Sequence, residues 1–503
     1  MTAGGGGRQG ERADGREPLR MHAAFVGCKV SQADSEAVLA ILAARGCLPV
    51  RDPAQADVQV VLTCGVTSEA ERSSRQIARR LAVHGRPVVV AGCAAALRPE
   101  QFAEPGLVLA SGATGRAAGV HEIADCVLAA AGLTPITLGG ATDAAGASNA
   151  TRTTDTTDAT GVINAAGARS SALFGEARER TRFTLKVQDG CAGRCSYCAV
   201  RLARGEPWSI AAEAAVAQAR AALAAGCGEI VLSGIDVGAY RDPASGDELA
   251  ALVGRLTALP GLARLRLSSI EPRHLTASLF EALAHPLVAR HLHVPLQSAD
   301  DVVLAAMARP YTWRQYRAAL AAARRALPGL AVSTDLIVGF PGEDDDAFEA
   351  SLSAIAPPDG LFTRVHVFTF SRRAGTPAAA LAPPPAATVK VRASLARQAA
   401  AAARSAAAAA CLGAAAQVLL EECRERAWRG YSSTYVRYYL EGEGARGGMV
   451  EAIGDELYRD GVKGRIVSAG PNATQGRIVP AGPSATQGRI VSQERIVSQG
   501  HTE

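Results

Sequence analysis

Phe183-Thr184-Leu185-Lys186-Val187-Gln188-Asp189-Gly190-Cys191-Ala192-Gly193-Arg194-Cys195-Ser196-Tyr197-Cys198 is a strand signal that runs straight into a Cys-x3-Cys-x2-Cys triplet. A strand that ends on chemistry-bearing residues reads as the first unit of a β/α barrel, whose reactive face is the carboxyl end of its strands. Three thiolates within the eight residues Cys191 to Cys198 can wrap three irons of a cubane cluster, and no nearby fourth cysteine is offered to the last iron. An open metal position marks a catalytic site rather than a structural one, by the logic that separates the two kinds of zinc site. The other readings are a zinc knuckle or chance clustering. A structural zinc takes four protein ligands, and neither a fourth Cys nor a His lies nearby in sequence.

Downstream, apolar runs recur at Glu229 to Leu232, Leu265 to Leu267, His291 to Leu296, Ala331 to Val338 and Arg364 to Phe370, with helical stretches between them. Six β/α units make a partial barrel over residues 183–410. Ser233 and Gly234 follow its second strand, and Ser269, Glu271 and Gln297 stand at later strand ends. Ser269, Glu271 and Gln297 are candidate polar contacts to a cofactor or substrate, each equally readable as a hydrogen-bonded structural residue, whereas Ser233 by itself reads as well as a simple strand-to-loop turn. His291 and His293 flank Leu292 on one alternating face and are read as packing or polar support rather than as metal ligands.

Upstream, residues 21–133 alternate short apolar runs (Ala23 to Val26, Val58 to Leu62, Pro87 to Ala91, Leu107 to Ala110) with helical stretches, the pattern of a parallel α/β sheet. Three of those runs end on Cys28, Cys64 and Cys93, at intervals of 36 and 29 residues that fit one βαβ unit each. The three thiols should therefore emerge at one carboxyl edge, where open α/β sheets gather ligands, and hold a second metal cluster. The plainer reading is that cysteine is a small apolar residue at home at strand ends. Cys47, Cys126, Cys227, Cys411 and Cys423 show no partner pattern and are read as buried apolar residues.

Residues 1–20 read as a disordered start, and residues 134–182, rich in Gly, Ala, Ser, Thr and Asp, as a flexible linker or insertion. An alanine-rich helix near Val389 to Ala410 leads into strand signals at Gln417 to Leu420 and Tyr435 to Tyr439, read as a small antiparallel β-barrel over residues 411–467. Arg424, Arg426, Arg429 and Arg437 sit there among Trp428, Tyr431, Tyr435, Tyr438 and Tyr439. Basic side chains meet phosphates while aromatics stack on unpaired bases, so this segment is the expected RNA-binding surface, with half of the aromatics readable as barrel core. The stretch Gly464 to Gln475 recurs nearly unchanged at Gly476 to Gln487, and residues 468–503 read as a repetitive, disordered tail.

Composition is that of a globular protein, 48% hydrophobic and 20% charged, with 53 basic residues against 48 acidic and a formal net charge of +5, which permits nucleic-acid binding without requiring it. No apolar run is long enough to span a membrane, and the Gly- and Arg-rich start lacks a signal-peptide core. Eleven cysteines in a chain with metal-type spacing fit a reducing compartment, so the expected location is cytoplasmic.

With two cysteine trios and a terminal β-barrel in that order, the chain resembles the radical S-adenosylmethionine (SAM) methylthiotransferases over about residues 22 to 467. The resemblance implies two 4Fe-4S clusters, one on Cys28, Cys64 and Cys93 and one on Cys191, Cys195 and Cys198. It also implies SAM on the open iron, with Tyr197 near the adenine and Ser233-Gly234 receiving the amino group, and a terminal TRAM domain that grips RNA. The activity so implied places a methylthio group on an unactivated carbon. One SAM methylates a cluster-borne sulfur, and a second yields a 5′-deoxyadenosyl radical. An electron donor of the flavodoxin or ferredoxin type would serve it, and the sulfur donor is not named by sequence.

Gly27-Cys28-Lys29-Val30-Ser31-Gln32, Arg266 to Pro272, His291 to Ser298 and Ser333 to Glu343 resemble the MtaB-type branch, whose substrate is N6-threonylcarbamoyladenosine at position 37, in the anticodon loop of tRNA. Ser31 stands where that branch has Asn, and Arg201 to Gly205 lacks its Pro-Tyr pair. The alternatives are N6-isopentenyladenosine in tRNA, an aspartate of a ribosomal protein, or, in another class, a non-catalytic iron-sulfur RNA-binding protein.

Overall fold

The computed structural model describes residues 18–65, 67–110, 119–133, 181–358, 361–425 and 427–469. The expectations of a disordered start (1–20), a linker (134–182) and a repetitive tail (468–503) fall mostly on residues 1–17, 134–180 and 470–503, which lie outside the described residues. At their edges Arg20, Arg182, Ser468 and Ala469 belong instead to strands, because each completes a ladder with a neighbouring strand. The chain divides into two compact units. One takes the described residues up to 133 together with Leu202–Arg204, and the other takes the rest.

In the first unit β1 (Arg20–Phe25), β2 (Leu48–Pro49), β3 (Val58–Thr63), β4 (Val88–Gly92) and β5 (Leu107–Leu109) form one parallel sheet in the order β2-β1-β3-β4-β5. Every residue of β3 and β4 is buried, as expected of central strands covered on both faces. Alternate residues sort to opposite sides. Val60, Leu62, Val89 and Ala91 pack with Val38, Ile41 and Leu42 of the helix Lys29–Ala44 and with Ile123 and Val127 of the helix Val120–Ala130. Val61, Val88 and Val90 pack with Ala78 and Leu81 of the helix Ser68–Ala82. That last helix starts on Thr67, whose hydroxyl accepts from Ala70 N at 3.0 Å, and carries Glu69 and Glu71 in its first turn and Arg79 and Arg80 in its last.

The second unit opens with β6 (Arg182–Lys186), followed by a two-residue ladder of β7 (Gln188–Asp189) with β8 (Trp208–Ser209). β9 (Glu229–Ser233) and β10 (Arg264–Leu267) pair in parallel in the order β10-β9-β6. β11 (His291–His293), β12 (Ala331–Val338) and β13 (Arg364–Thr369) do so in the order β11-β12-β13. Bridges Leu265↔Val288 and Ser269↔His293 join the two sheets into the expected six-stranded open barrel. On β12, Val332, Leu336 and Val338 enter the hydrophobic core, while Ser333 and Asp335 point to the opposite side, as strand geometry requires.

A helix from Ala386 to Ala409 leads to the small closed barrel of β14 (Ala415–Arg424), β15 (Ala427–Ser432), β16 (Arg437–Glu441), β17 (Met449–Tyr458) and β18 (Gly461–Ala469). Its core is Val418, Leu420, Tyr438, Leu440, Val450, Ala452 and Val462. The barrel is mixed rather than purely antiparallel: β16 and β18 run parallel, because β18 closes the barrel by pairing with both β16 and β17.

This barrel seats on the amino-terminal ends of the parallel strands through buried charge. Glu229, 0% exposed, accepts from Arg264 Nε at 2.5 Å and Arg266 Nε at 3.0 Å. The two guanidiniums reach on to the carbonyl oxygens of Tyr431 and Ser432, each at 3.0 Å. Arg182 pairs with Glu421 and lies over the Tyr431 ring. Burial opposes the charge on Glu229, but Arg264, Arg266 and Arg182 outweigh it and hold its carboxyl far below the ordinary range.

Candidate active site

Cys28, Cys64 and Cys93 stand just beyond the carboxyl ends of β1, β3 and β4, three adjacent strands of one sheet. The close approach is built into the backbone. Gly27 has φ +118°, and a Cβ there would lie 2.4 Å from Cys64 Cβ and 2.5 Å from its sulfur, so only glycine brings the Cys28 loop against the second thiol. Cys28 caps the helix Lys29–Ala44 and Cys93 begins the helix Cys93–Leu97, so two sulfurs sit at helix amino termini, where thiolate charge is favoured. Cys64 N donates to Ser74 Oγ at 3.2 Å. Arg204 donates to Cys93 Sγ at 3.2 Å and to Asp34 Oδ2 at 3.0 Å in a buried pair. Sequence reading missed Arg204 and Asp34, because no spacing rule links residues 170 positions apart.

Cys191, Cys195 and Cys198 lie in the loop that follows β6 and β7. Gly193 N donates to Cys191 Sγ at 3.2 Å, and a Cβ on Gly193 would stand 3.1 Å from that sulfur and 3.9 Å from Cys195 Sγ. Two sulfurs thus converge over one glycine. Burial pushes the Cys191 thiol up and the Cys198 thiol up to about 12. Thiols that resist ionisation by burial become ligands when a cation compensates them, so this donor set fits a cluster. Arg309 supplies part of the positive charge, donating to Cys195 Sγ at 3.3 Å while it pairs with Glu271 and stacks on Tyr311.

The remaining predicted contacts line the same end of the barrel. Ser233 closes β9, and its hydroxyl is buried with no hydrogen-bond partner among the described residues, as is that of Ser268 just past β10. Such orphaned polar atoms at a catalytic mouth fit a polar cofactor. Gly234 is pressed against Gln188, where a Cβ would meet Oε1 at 2.9 Å. Ser269 is held by its bridge to His293, Glu271 by Arg309, and Gln297 by backbone bonds to Asp335 and Ile337 at φ 71°. Tyr197 packs into the apolar cluster of Ile337, Phe340, Phe368 and Phe370, with its ring edge-on to Phe340.

Two polar groups there were not foreseen. Asp236 receives Arg273 Nη2 at 2.6 Å and His274 Nε2 at 3.2 Å; burial works against its charge, yet these partners hold its carboxyl below the usual range. Asp335 lies between His293 and His366, each at 3.1 Å, and these imidazoles likewise outweigh burial and depress its carboxyl. The ligand atoms of the three lie within 4.8 Å of one another. His291 and His293 share Ser333 Oγ at 3.0 and 2.9 Å, which agrees with polar support.

In the small barrel Arg424 pairs with Glu422 at 2.5 Å, Arg429 approaches the same carboxylate at 3.6 Å, and Arg437 pairs with Asp460 at 2.7 Å. Tyr435 is stacked between His291 and Tyr431, with Arg266 over its ring. Arg426 lies outside the described residues. Of the five cysteines read as buried, Cys47 and Cys227 are buried, Cys126 and Cys411 are half-buried, and Cys423 is exposed near the end of β14. No two of the eleven cysteines are disulfide-bonded among the described residues, and no described helix is long and apolar enough to cross a membrane.

Residues 185–355 match the Radical SAM superfamily, and residues 20–110 match a family described as Uncharacterized protein family UPF0004. The threonylcarbamoyladenosine tRNA methylthiotransferase MtaB of Bacillus subtilis is 34% identical over 366 residues, 70% of this chain and 74% of that one. The tRNA-2-methylthio-N(6)-dimethylallyladenosine synthase of Sorangium cellulosum is 36% identical over 70% of this chain and 71% of its own. The ribosomal protein uS12 methylthiotransferase RimO of Heliobacterium modesticaldum is 29% identical over 72% of this chain and 75% of its own.

Proposed function

Since the chain belongs to the radical SAM methylthiotransferase family, and is thereby an enzyme of two 4Fe-4S clusters and SAM, we propose that it modifies tRNA, at C2 of N6-threonylcarbamoyladenosine 37. When bound, the clusters and SAM supply the sulfur and the one-electron chemistry that an unactivated C–H bond requires. The protein supplies ligation, orientation and charge. Cys28, Cys64 and Cys93 hold one cluster at the sheet edge, and Cys191, Cys195 and Cys198 hold the other at the barrel mouth. Arg309 steadies the thiolate of Cys195, and the Ser233 hydroxyl takes a polar group of SAM. Tyr197 gives an apolar wall beside the site.

The observation that carries the RNA reading is the small closed barrel with its arginines and tyrosines, joined to an open barrel that carries Cys191, Cys195 and Cys198. The threonylcarbamoyl choice is supported by Gly27-Cys28-Lys29-Val30 and by the 34% identity to the Bacillus enzyme. A second reading, the dimethylallyl nucleoside, is favoured by the 36% identity to the Sorangium enzyme.

Mass spectrometry of tRNA nucleosides from a deletion strain, complemented with the parent gene or with Cys191→Ala, separates them. The threonylcarbamoyl reading expects its 2-methylthio nucleoside to vanish on deletion and to return only with the intact cysteine. Loss of the dimethylallyl product instead would transfer the assignment to the second reading.

A further inference from the structure

We propose that Arg364 and Arg404 form a seat for RNA phosphodiester oxygens, where β13, the helix Ala386–Ala409 and the small barrel meet. The proposal rests on the RNA reading above and adds to it a specific anion site outside the predicted set. A pocket there is lined by Arg364, Arg404 and Arg437 together with Thr434, Tyr435 and Asp460. Asp460 is the one carboxylate among these lining residues, and it is already engaged by Arg437 at 2.7 Å and by the Tyr439 hydroxyl at 2.7 Å. The guanidiniums of Arg364 and Arg404, by contrast, make no ion pair and no hydrogen bond among the described residues; that of Arg364 only lies over the Tyr435 ring, at 5.9 Å. Two uncompensated guanidiniums that face one cavity repel each other, and an anion placed between them relieves that repulsion. The planar fork of arginine suits phosphoryl oxygens.

The contrast with the arginines that composition singled out is direct. Arg424 and Arg429 converge on Glu422, and Arg437 on Asp460, so each would have to give up a carboxylate before it could take a phosphate. Position supports the same choice. Arg364 is the first residue of β13, at the end of the open barrel opposite the cysteine loop. Six residues of strand span roughly 20 Å. At about 3.4 Å per nucleotide along a stacked strand, a short stem-loop held in this seat can bring its loop to the mouth that holds Cys191, Cys195 and Cys198.

The test is the affinity of a labelled tRNA anticodon stem-loop for the full-length, cluster-loaded protein, read by fluorescence anisotropy across a salt series. Arg364→Gln and Arg404→Gln are each expected to weaken binding about fivefold or more, and to reduce the slope of log Kd against log salt by roughly 0.7 to 0.9, the value of one phosphate contact. Arg404→Lys, which keeps the charge, should retain most of the slope. Arg397→Gln, an exposed charge elsewhere on the same helix, should change affinity less than twofold. Melting temperature and iron content report whether each variant is folded. A double variant that binds the stem-loop with parental affinity and slope overturns the seat while leaving the RNA reading standing. A double variant that loses inorganic phosphate alone overturns it in favour of a free-anion site. A parent protein that does not bind the stem-loop at all removes the RNA reading and the seat with it.

Discussion

Asp335 carries the sharpest consequence that a single side chain has here. Its carboxyl is held low by His293 and His366 against the pull of burial. A group whose folded pKa lies below its unfolded value contributes stability that is present above the unfolded pKa, near 4 for an aspartate, and is lost as pH falls through the folded value. Asp335→Asn should therefore unfold more easily than the parent at pH 7, and the gap between the two should close as pH drops from about 5 towards 3. Paired thermal melts at each pH check this, because acid loss of the clusters affects both chains alike. A gap that widens on acidification would show that Asp335 is not ionised in the folded protein. At this level the sequence spoke unevenly. The six cysteines were legible because thiolate spacing and strand ends are local features. Arg309, Asp236 and the Asp34–Arg204 pair were not, because each finds its partner through the fold: Arg309 and Cys195 are 114 positions apart.

Among elements, the seating of β14 to β18 on the parallel strands turns on Glu229. Its carboxylate is fully buried and compensated by Arg264 and Arg266, which in turn satisfy carbonyl oxygens of β15 and the turn after it. Removing one partner of a buried pair leaves the other charges unmatched and costs about 3 kcal/mol or more. Glu229→Gln should thus lower the melting temperature by several degrees and expose the segment before β14 to protease, whereas a variant that melts and digests like the parent would deny Glu229 that role. The strands themselves were readable. Short apolar runs located β1, β3 to β6 and β9 to β13, and strand-end position placed Cys28, Cys64 and Cys93 at one carboxyl edge, which the strand order then makes three adjacent strands. What pattern could not supply was the packing of the small barrel. Tyr435 sits in a turn at φ 68°, stacked between His291 and Tyr431, although its neighbours in sequence are strand-forming and basic. A one-dimensional pattern of arginine and tyrosine is the same whether the rings face RNA or a second domain. The parallel pairing of β16 with β18 was hidden for a related reason, since adjacency in sequence suggests hairpins and this contact skips a strand.

For the whole molecule, two separate units each carry one trio of thiols at the carboxyl ends of parallel strands. One trio lies in a doubly covered sheet and the other opens a six-stranded barrel. The family binds two 4Fe-4S clusters, and the ligation proposed above gives one to each trio. The measurement that reaches this most directly is iron per chain in anaerobically reconstituted protein. It compares the parent with a Cys28→Ala/Cys64→Ala/Cys93→Ala variant and with a Cys191→Ala/Cys195→Ala/Cys198→Ala variant. Each triple variant is expected to keep about half of the parent's iron, with only the first still able to cleave SAM when reduced. If either triple substitution removed all of the iron, or none of it, the claim of two independently held clusters would be contradicted.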